Sequence, residues 1–131
     1  MKDAYIVQEI LLRFPQTLAI YAFGSRVQGG YNAASDLDLA ILVPTYADQV
    51  CLWELSSDLA NVMGYEVDLL DFRAASTVMQ HQILTTGKHL WTADQRAGLY
   101  EAAVLTEMIH LNTARSKLMQ DITNSGTVYG R

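Results

Sequence analysis

Gly24 and Ser25 are followed, after ten intervening residues, by Asp36, Leu37 and Asp38. A glycine at the end of an apolar run lets backbone N–H groups come close to phosphate oxygens. The start of a following helix favours their negative charge. Ser25 adds a hydroxyl donor and Arg26 a positive charge. Asp36 and Asp38 are two apart, so on a strand they share a face, with Cα atoms roughly 7 Å apart. From there their carboxylates can converge on one or two metal ions, which stand about 3.5–4 Å apart in two-metal sites. Without a cation the pair is costly, since two carboxylates at about 4 Å repel by roughly 4 kcal/mol at an effective dielectric near 20. Taken singly, Asp-x-Asp also reads as a solvated strand start, and Gly-Ser as an ordinary turn. Together they make a place for a nucleoside triphosphate and its metal ions.

A third acidic group is expected from the next apolar strand, which offers Glu66, Asp68 and Asp71. Strand parity puts Glu66 and Asp68 on one face and Asp71 on the other, with Val67 and Leu69. An aspartate within an apolar strand is expensive unless it has a partner. Asp68 is therefore the expected third metal ligand or base. Asp71 reads as a strand-end or cap residue, and Glu66 as a rim residue.

The elements that would hold these groups are legible in the apolar spacing. Ala4 to Phe14 has helical periodicity and Pro15 stops it. Leu18–Phe23 reads as a buried strand ended by Gly24, and Asp38–Val43 as a second strand closed by Pro44. Asp48 can cap a helix from about Gln49 to Met63, with Val50, Trp53, Leu55, Leu59 and Val62 as inward candidates and Gly64 as its end. Glu66–Phe72 is a third strand. Ser76 opens a short helix that Gly87 closes, Lys88–Thr92 is a short edge strand, and Asp94 opens a long helix to about Ile122. The alternation predicts an α/β (α+β) fold, with helices flanking a small sheet and a long C-terminal helix. One domain over residues 1–122 is expected, followed by a flexible tail over 123–131.

Composition narrows the partners. Half the residues are apolar, 18% are charged and the net charge is −5. Lys and Arg number nine and are scattered, so the basic stripe of a nucleic-acid binder is missing. No apolar stretch is long and clean enough to span a membrane. Cys51 is the only cysteine, which excludes an intramolecular disulfide; it reads as core filler in a reduced, cytoplasmic compartment. His81, His89 and His110 are too dispersed for a zinc site, and Trp53 and Trp91 are expected in the core. Tyr31 reads as an exposed loop tyrosine, with contact to a nucleotide or partner as the sharper alternative. The apolar arc of the last helix, from Leu99 to Leu111, is wider than one core-facing stripe. Its excess suggests a partner face, with Met108 as an adaptable contact.

At Gly24-Ser25, Asp36-Leu37-Asp38 and Val67-Asp68-Leu69 the chain resembles the minimal nucleotidyltransferases of the DNA polymerase β-like superfamily. Within them it is most similar to the MntA-type antitoxins encoded beside HEPN-domain toxins. The resemblance runs from Leu18 to about Trp91. It implies the nucleotidyltransferase fold, a small mixed sheet flanked by helices. It further implies that Asp36 and Asp38 hold Mg²⁺ on the triphosphate, and that Asp68 helps bind the catalytic metal and draws the proton from an attacking hydroxyl. Gly24 and Ser25, with Arg26 nearby, would contact the nucleotide. AMP would pass from ATP to a tyrosine hydroxyl of the HEPN toxin, silencing it. Two alternatives remain: an antitoxin that only masks its toxin, and a transferase for a small-molecule acceptor. The second is disfavoured because no second domain is apparent to bind such an acceptor.

Overall fold

The structure is a computed structural model that describes residues 3–29 and 36–125. Helix α1 (Asp3–Arg13) leads into strand β1 (Ala19–Phe23) and a single helical turn, α2 (Ser25–Gln28). Strand β2 (Leu37–Leu42), helix α3 (Gln49–Met63) and strand β3 (Val67–Asp71) follow. A 3₁₀ turn over Phe72–Ala74 then leads to helix α4 (Thr77–Thr86), strand β4 (Lys88–Thr92) and helix α5 (Gln95–Ser125). The end of α5 lies at Ser125, beyond the expected Ile122. Tyr31 and residues 126–131 of the expected tail lie outside the described residues.

The four strands form a mixed sheet in the order β3-β2-β1-β4. β1 is antiparallel to both β2 and β4, while β2 and β3 run parallel, joined by the crossover through α3. The strands' alternation builds two cores. Ile20, Ala22, Leu39, Ile41 and Val67 face α1 and α3, where they meet Ile6, Ile10, Leu52, Leu55 and Leu59. Ala19, Tyr21, Ala40 and Leu42 face the other way, toward Phe72, Ile83, Ala97 and Val104.

Local chemistry sets the helix ends. The Asp48 side chain accepts from the Val50 N–H at the start of α3, and Gly64 closes it in the left-handed region, with its N–H donated to the Ala60 carbonyl. The Ser76 hydroxyl accepts from the Met79 N–H at the start of α4. Charge pairs add lateral ties, from Arg13 on α1 to Asp58 on α3 and from Lys88 on β4 to Asp3 on α1.

Two expectations about packing are corrected. On α3 the inward residues are Leu52, Leu55 and Leu59, whereas Val50, Val62 and Trp53 are exposed, Trp53 by 71%. The reason is helical phase: residues two apart lie about 200° apart around the axis, so Val50 and Leu52 cannot both face the sheet. Trp91, by contrast, is half-buried against the α1–α3 core. Cys51, expected in the core, is half-buried and free. On α5 the buried residues Ala97, Val104 and Met108 follow one narrow seam, and Leu99 and Ile109 are exposed. Core packing therefore accounts for less of that helix than its composition suggests, and Met108 belongs to the core rather than to an outer face.

Candidate active site

Register brings the expected residues together. Phe23, the last residue of β1, pairs with Asp38, and Asp38 pairs with Asp68 across the parallel β2–β3 ladder. The Leu37 N–H donates to the Glu66 carbonyl at 2.9 Å, which sets that ladder one step before the two aspartates. Gly24 thus ends its strand beside Asp38. Its φ is +84°, in the left-handed region, and a Cβ built on it would collide with the Asp38 carboxylate. Glycine is needed there for both conformation and space. Directly after it α2 begins, and the Val27 N–H closes the turn onto the Gly24 carbonyl at 3.1 Å.

Asp38 and Asp68 stand opposite each other across the β2–β3 ladder. Burial, followed by the negative charges of Asp68 and Asp36 and the hydrogen bond with Asp68, pushes the Asp38 carboxyl above the usual carboxylate range. Asp36, exposed just before β2, is near enough to repel Asp38. Among the described residues, no group of three or more acidic, histidine or cysteine side chains is arranged to hold an ion. The Asp38 and Asp68 carboxylates, opposite each other across the ladder, fit Mg²⁺ on a nucleotide. Magnesium is bound through one or two carboxylates, with phosphate and water oxygens completing its octahedron. The donor set, all hard carboxylate oxygen, suits the same ion.

The other acidic residues in and just before β3 separate as parity predicts. Asp71 is buried on the opposite face, where its carboxylate accepts from the Ala47 N–H at 2.9 Å and the Arg73 N–H at 3.0 Å. It caps the 3₁₀ turn and does not reach the site. Glu66 is exposed at the rim. Arg26 lies with its guanidinium 3.6 Å from the centroid of the Tyr65 ring, which steadies it beside the start of β3. The role of Tyr65 was not visible in the sequence, because nothing in a linear pattern pairs residues so far apart. His89 bonds Glu101 on the surface.

Beyond Asp68, along the free edge of β3, a cleft of about 460 Å³ opens between β3 and α3. Trp53, Ser56, Ser57 and Asn61 line it from the helix, and Glu66 and Asp68 from the strand. The Ser56 hydroxyl accepts the Leu69 N–H at 3.2 Å, so this part of the edge is already capped. Sequence reasoning missed this cleft because it placed Trp53 inside.

The family model described as Polymerase beta, Nucleotidyltransferase matches residues 6–96. The protein adenylyltransferase MntA of Shewanella oneidensis is 35% identical over 122 residues, covering 93% of this chain and 88% of that protein. Among solved structures, a toxin–antitoxin with AMP-PNP contains a chain that matches with a TM-score of 0.81 at 33% identity, over 94% of this chain and 99% of that one. The tri-AMPylated Shewanella oneidensis HEPN toxin in complex with MNT antitoxin matches with a TM-score of 0.74 at 31% identity, over 92% of this chain and 95% of its counterpart.

Proposed function

Since the chain belongs to the polymerase β nucleotidyltransferase family, we propose that it is a protein adenylyltransferase antitoxin, which transfers AMP from ATP to a tyrosine hydroxyl of a HEPN-domain toxin. The observation that carries this reading is the register that sets Asp38 opposite Asp68, beside a glycine whose missing side chain makes room for Asp38. A fold gains no stability from two adjoining carboxylates, so the arrangement answers to a ligand.

In this reading residues 1–122 form one catalytic domain. Asp36, Asp38 and Asp68 hold Mg²⁺, and Gly24, Ser25 and Arg26 meet the triphosphate. Bound Mg²⁺ would supply positive charge to the phosphate oxygens as the transferred phosphoryl develops charge. Asp68 takes the proton of the tyrosine hydroxyl. The tyrosine oxygen forms a bond to the α-phosphorus, the α-phosphorus to bridging-oxygen bond breaks, and pyrophosphate leaves with that electron pair. A cytoplasmic setting fits the lone free cysteine, and among the described residues no helix is long and apolar enough to cross a membrane. The acidic balance of the chain fits a protein acceptor better than a nucleic acid.

The test is to incubate the chain with isotope-labelled ATP, Mg²⁺ and its HEPN-domain partner, and to read the partner by intact mass. The expected result is stepwise gain of AMP by the partner, lost with Asp36→Ala/Asp38→Ala. Absence of any AMP on the partner with the unaltered chain overturns the reading. A double variant that still protects cells in full would show that masking alone silences the toxin.

A further inference from the structure

We propose that Tyr65 is a positioning residue for nucleotide binding. Its ring holds the Arg26 guanidinium and thereby fixes α2, with the Gly24-Ser25 turn that opens it, relative to the strand that carries Asp68. This inference rests on the transferase reading above and adds to it a residue that acts through Arg26.

The pair closes one end of the sheet. Strand β1 ends at Phe23 opposite Asp38, near the start of β2, and Asp38 is opposite Asp68, near the start of β3. Gly24 leads from the end of β1 into α2, while Tyr65 stands two residues before β3. Because β2 lies between β1 and β3, no strand ladder joins those two. They stand two strand spacings apart, about 10 Å. The Arg26 guanidinium nevertheless rests 3.6 Å from the centroid of the Tyr65 ring. That contact ties the turn after β1 directly to the segment that leads into β3, past the start of β2.

The contact lies behind the carboxylates. Leu37, Leu39, Val67 and Leu69 belong to the core under α1 and α3, and Val27 and Tyr65 pack against the same core. Strand alternation turns Asp38 and Asp68 to the opposite face. Tyr65 therefore adds no ligand to the carboxylate pair, and its effect on the site is one of position. On the carboxylate side Gly24 already stands so close to Asp38 that a Cβ would collide with it. A small displacement of the turn thus changes the space between Gly24 and Asp38. Helix α2 has only four residues, closed by the Val27 N–H on the Gly24 carbonyl. A single turn has little stability of its own, so its side-chain contacts decide where it sits.

The chemistry of the pair suits this task. A guanidinium is planar and weakly hydrated; it stacks by its face and makes hydrogen bonds in its own plane. Stacking on Tyr65 orients Arg26 without using the directions in which it would bond a phosphate. Tyr65 is half-buried, so a leucine in its place keeps apolar packing and removes only the aromatic face.

The test compares the unaltered chain with Tyr65→Leu, Tyr65→Phe, Arg26→Ala and Arg26→Ala/Tyr65→Leu, and with Tyr5→Leu as a control on the exposed side of α1. Binding of Mg²⁺–ATP is titrated without the partner, and AMP transfer to the HEPN-domain partner is measured with ATP and partner varied separately. Tyr65→Leu is expected to raise Kd and KM for ATP about fivefold, equivalent to about 1 kcal/mol. KM for the partner should not move, Tyr65→Phe should recover most of the loss, and Tyr5→Leu should match the unaltered chain. In the Arg26→Ala background, Tyr65→Leu should have no further effect on Kd, as a coupled pair requires. An unchanged Kd for Tyr65→Leu overturns the proposal, whatever happens to its Tm. The same fivefold loss in the Arg26→Ala background also overturns it, by showing that the ring does not act through Arg26. Equal losses for Tyr65→Phe and Tyr65→Leu overturn it by assigning the effect to the hydroxyl. If the unaltered chain binds Mg²⁺–ATP but transfers no AMP, the transferase reading falls and the titrations alone decide the role of Tyr65. If it binds no Mg²⁺–ATP, both fall.

Discussion

At the scale of single residues the site is governed by charge repulsion and by the space that one glycine leaves. Asp38 stands opposite Asp68 across the β2–β3 ladder, and the negative charges of Asp68 and Asp36 both act on its carboxyl. Asp68→Asn replaces that repulsion with an amide donor. We therefore expect AMP transfer to fall at least about 10²-fold, as for loss of a general base, while Tm measured in EDTA rises by about 2 °C. A falling Tm would show that the Asp38–Asp68 pair is held by something other than the fold. Gly24→Ala tests the neighbouring turn. The left-handed φ costs an alanine about 1–2 kcal/mol, and the new Cβ displaces the Asp38 carboxylate. Transfer should drop about 10²-fold, since displacement of a catalytic group by about 1 Å has that effect, while circular dichroism reports an intact fold. The aspartates and the glycine were legible because their residue types are costly anywhere else. Tyr65 and Trp53 were not, because an aromatic residue has an unremarkable reason to be in any core.

At the scale of elements, the sheet and α5 are tied together at Glu101. The Tyr21 hydroxyl donates to a Glu101 carboxylate oxygen at 2.6 Å, and the His89 ring nitrogen lies 2.8 Å from the same oxygen. The Tyr21 ring stacks on Phe72 with centroids 5.0 Å apart. Burial, then the bond to Glu101 and its charge, raise the phenol well above its ordinary range. A folded pKa above the unfolded value near 10 means that the contribution is fully present below pH 10. It is lost as pH climbs from there toward the folded value. Tyr21→Phe should lower stability by about 1 kcal/mol at pH 7 and give a flatter decline in urea midpoint above pH 10. An unchanged alkaline slope would contradict the role of this bond. At the far end of α3, Gly64 has φ +82° with open space around it. Gly64→Ala should cost about 1 kcal/mol through backbone strain alone, read from the denaturation midpoint. Element boundaries were largely legible, since Asp48 and Ser76 cap helix starts through their side chains and Gly64 and Gly87 end helices, Gly64 by its left-handed backbone. Helix faces were less so, because apolar residues surround α3 and only contact with the sheet selects Leu52, Leu55 and Leu59.

At the scale of the whole molecule, the nucleotide, the metal and the fold are linked. In the proposed site Mg²⁺ would be held by carboxylates together with phosphate oxygens of the nucleotide. Mg²⁺ and ATP together should therefore raise Tm far more than either alone, by about 2.7 kcal/mol of stabilisation at a hundred times Kd. EDTA should abolish the shift, and Asp36→Ala/Asp38→Ala should not show it. Equal shifts with ATP alone would remove the metal from the reading. Helix α5, with 31 residues, is about 46 Å long. Past Met108 its described side chains, apart from half-buried Leu111, are exposed up to Lys117, so this stretch adds little to the core.

The linear order of residues by itself determined the alternation of strands and helices, the Gly24-Ser25 turn and the three aspartates. Each of these follows from local rules: apolar period, capping preference and strand parity act within a few neighbours. Which groups touch was decided only by tertiary structure. The parallel register that sets Asp68 against Asp38, the Arg26 guanidinium over Tyr65, and the cleft left open beside Trp53 all join residues far apart in the chain. Such contacts depend on how whole elements pack, and no local preference encodes that geometry.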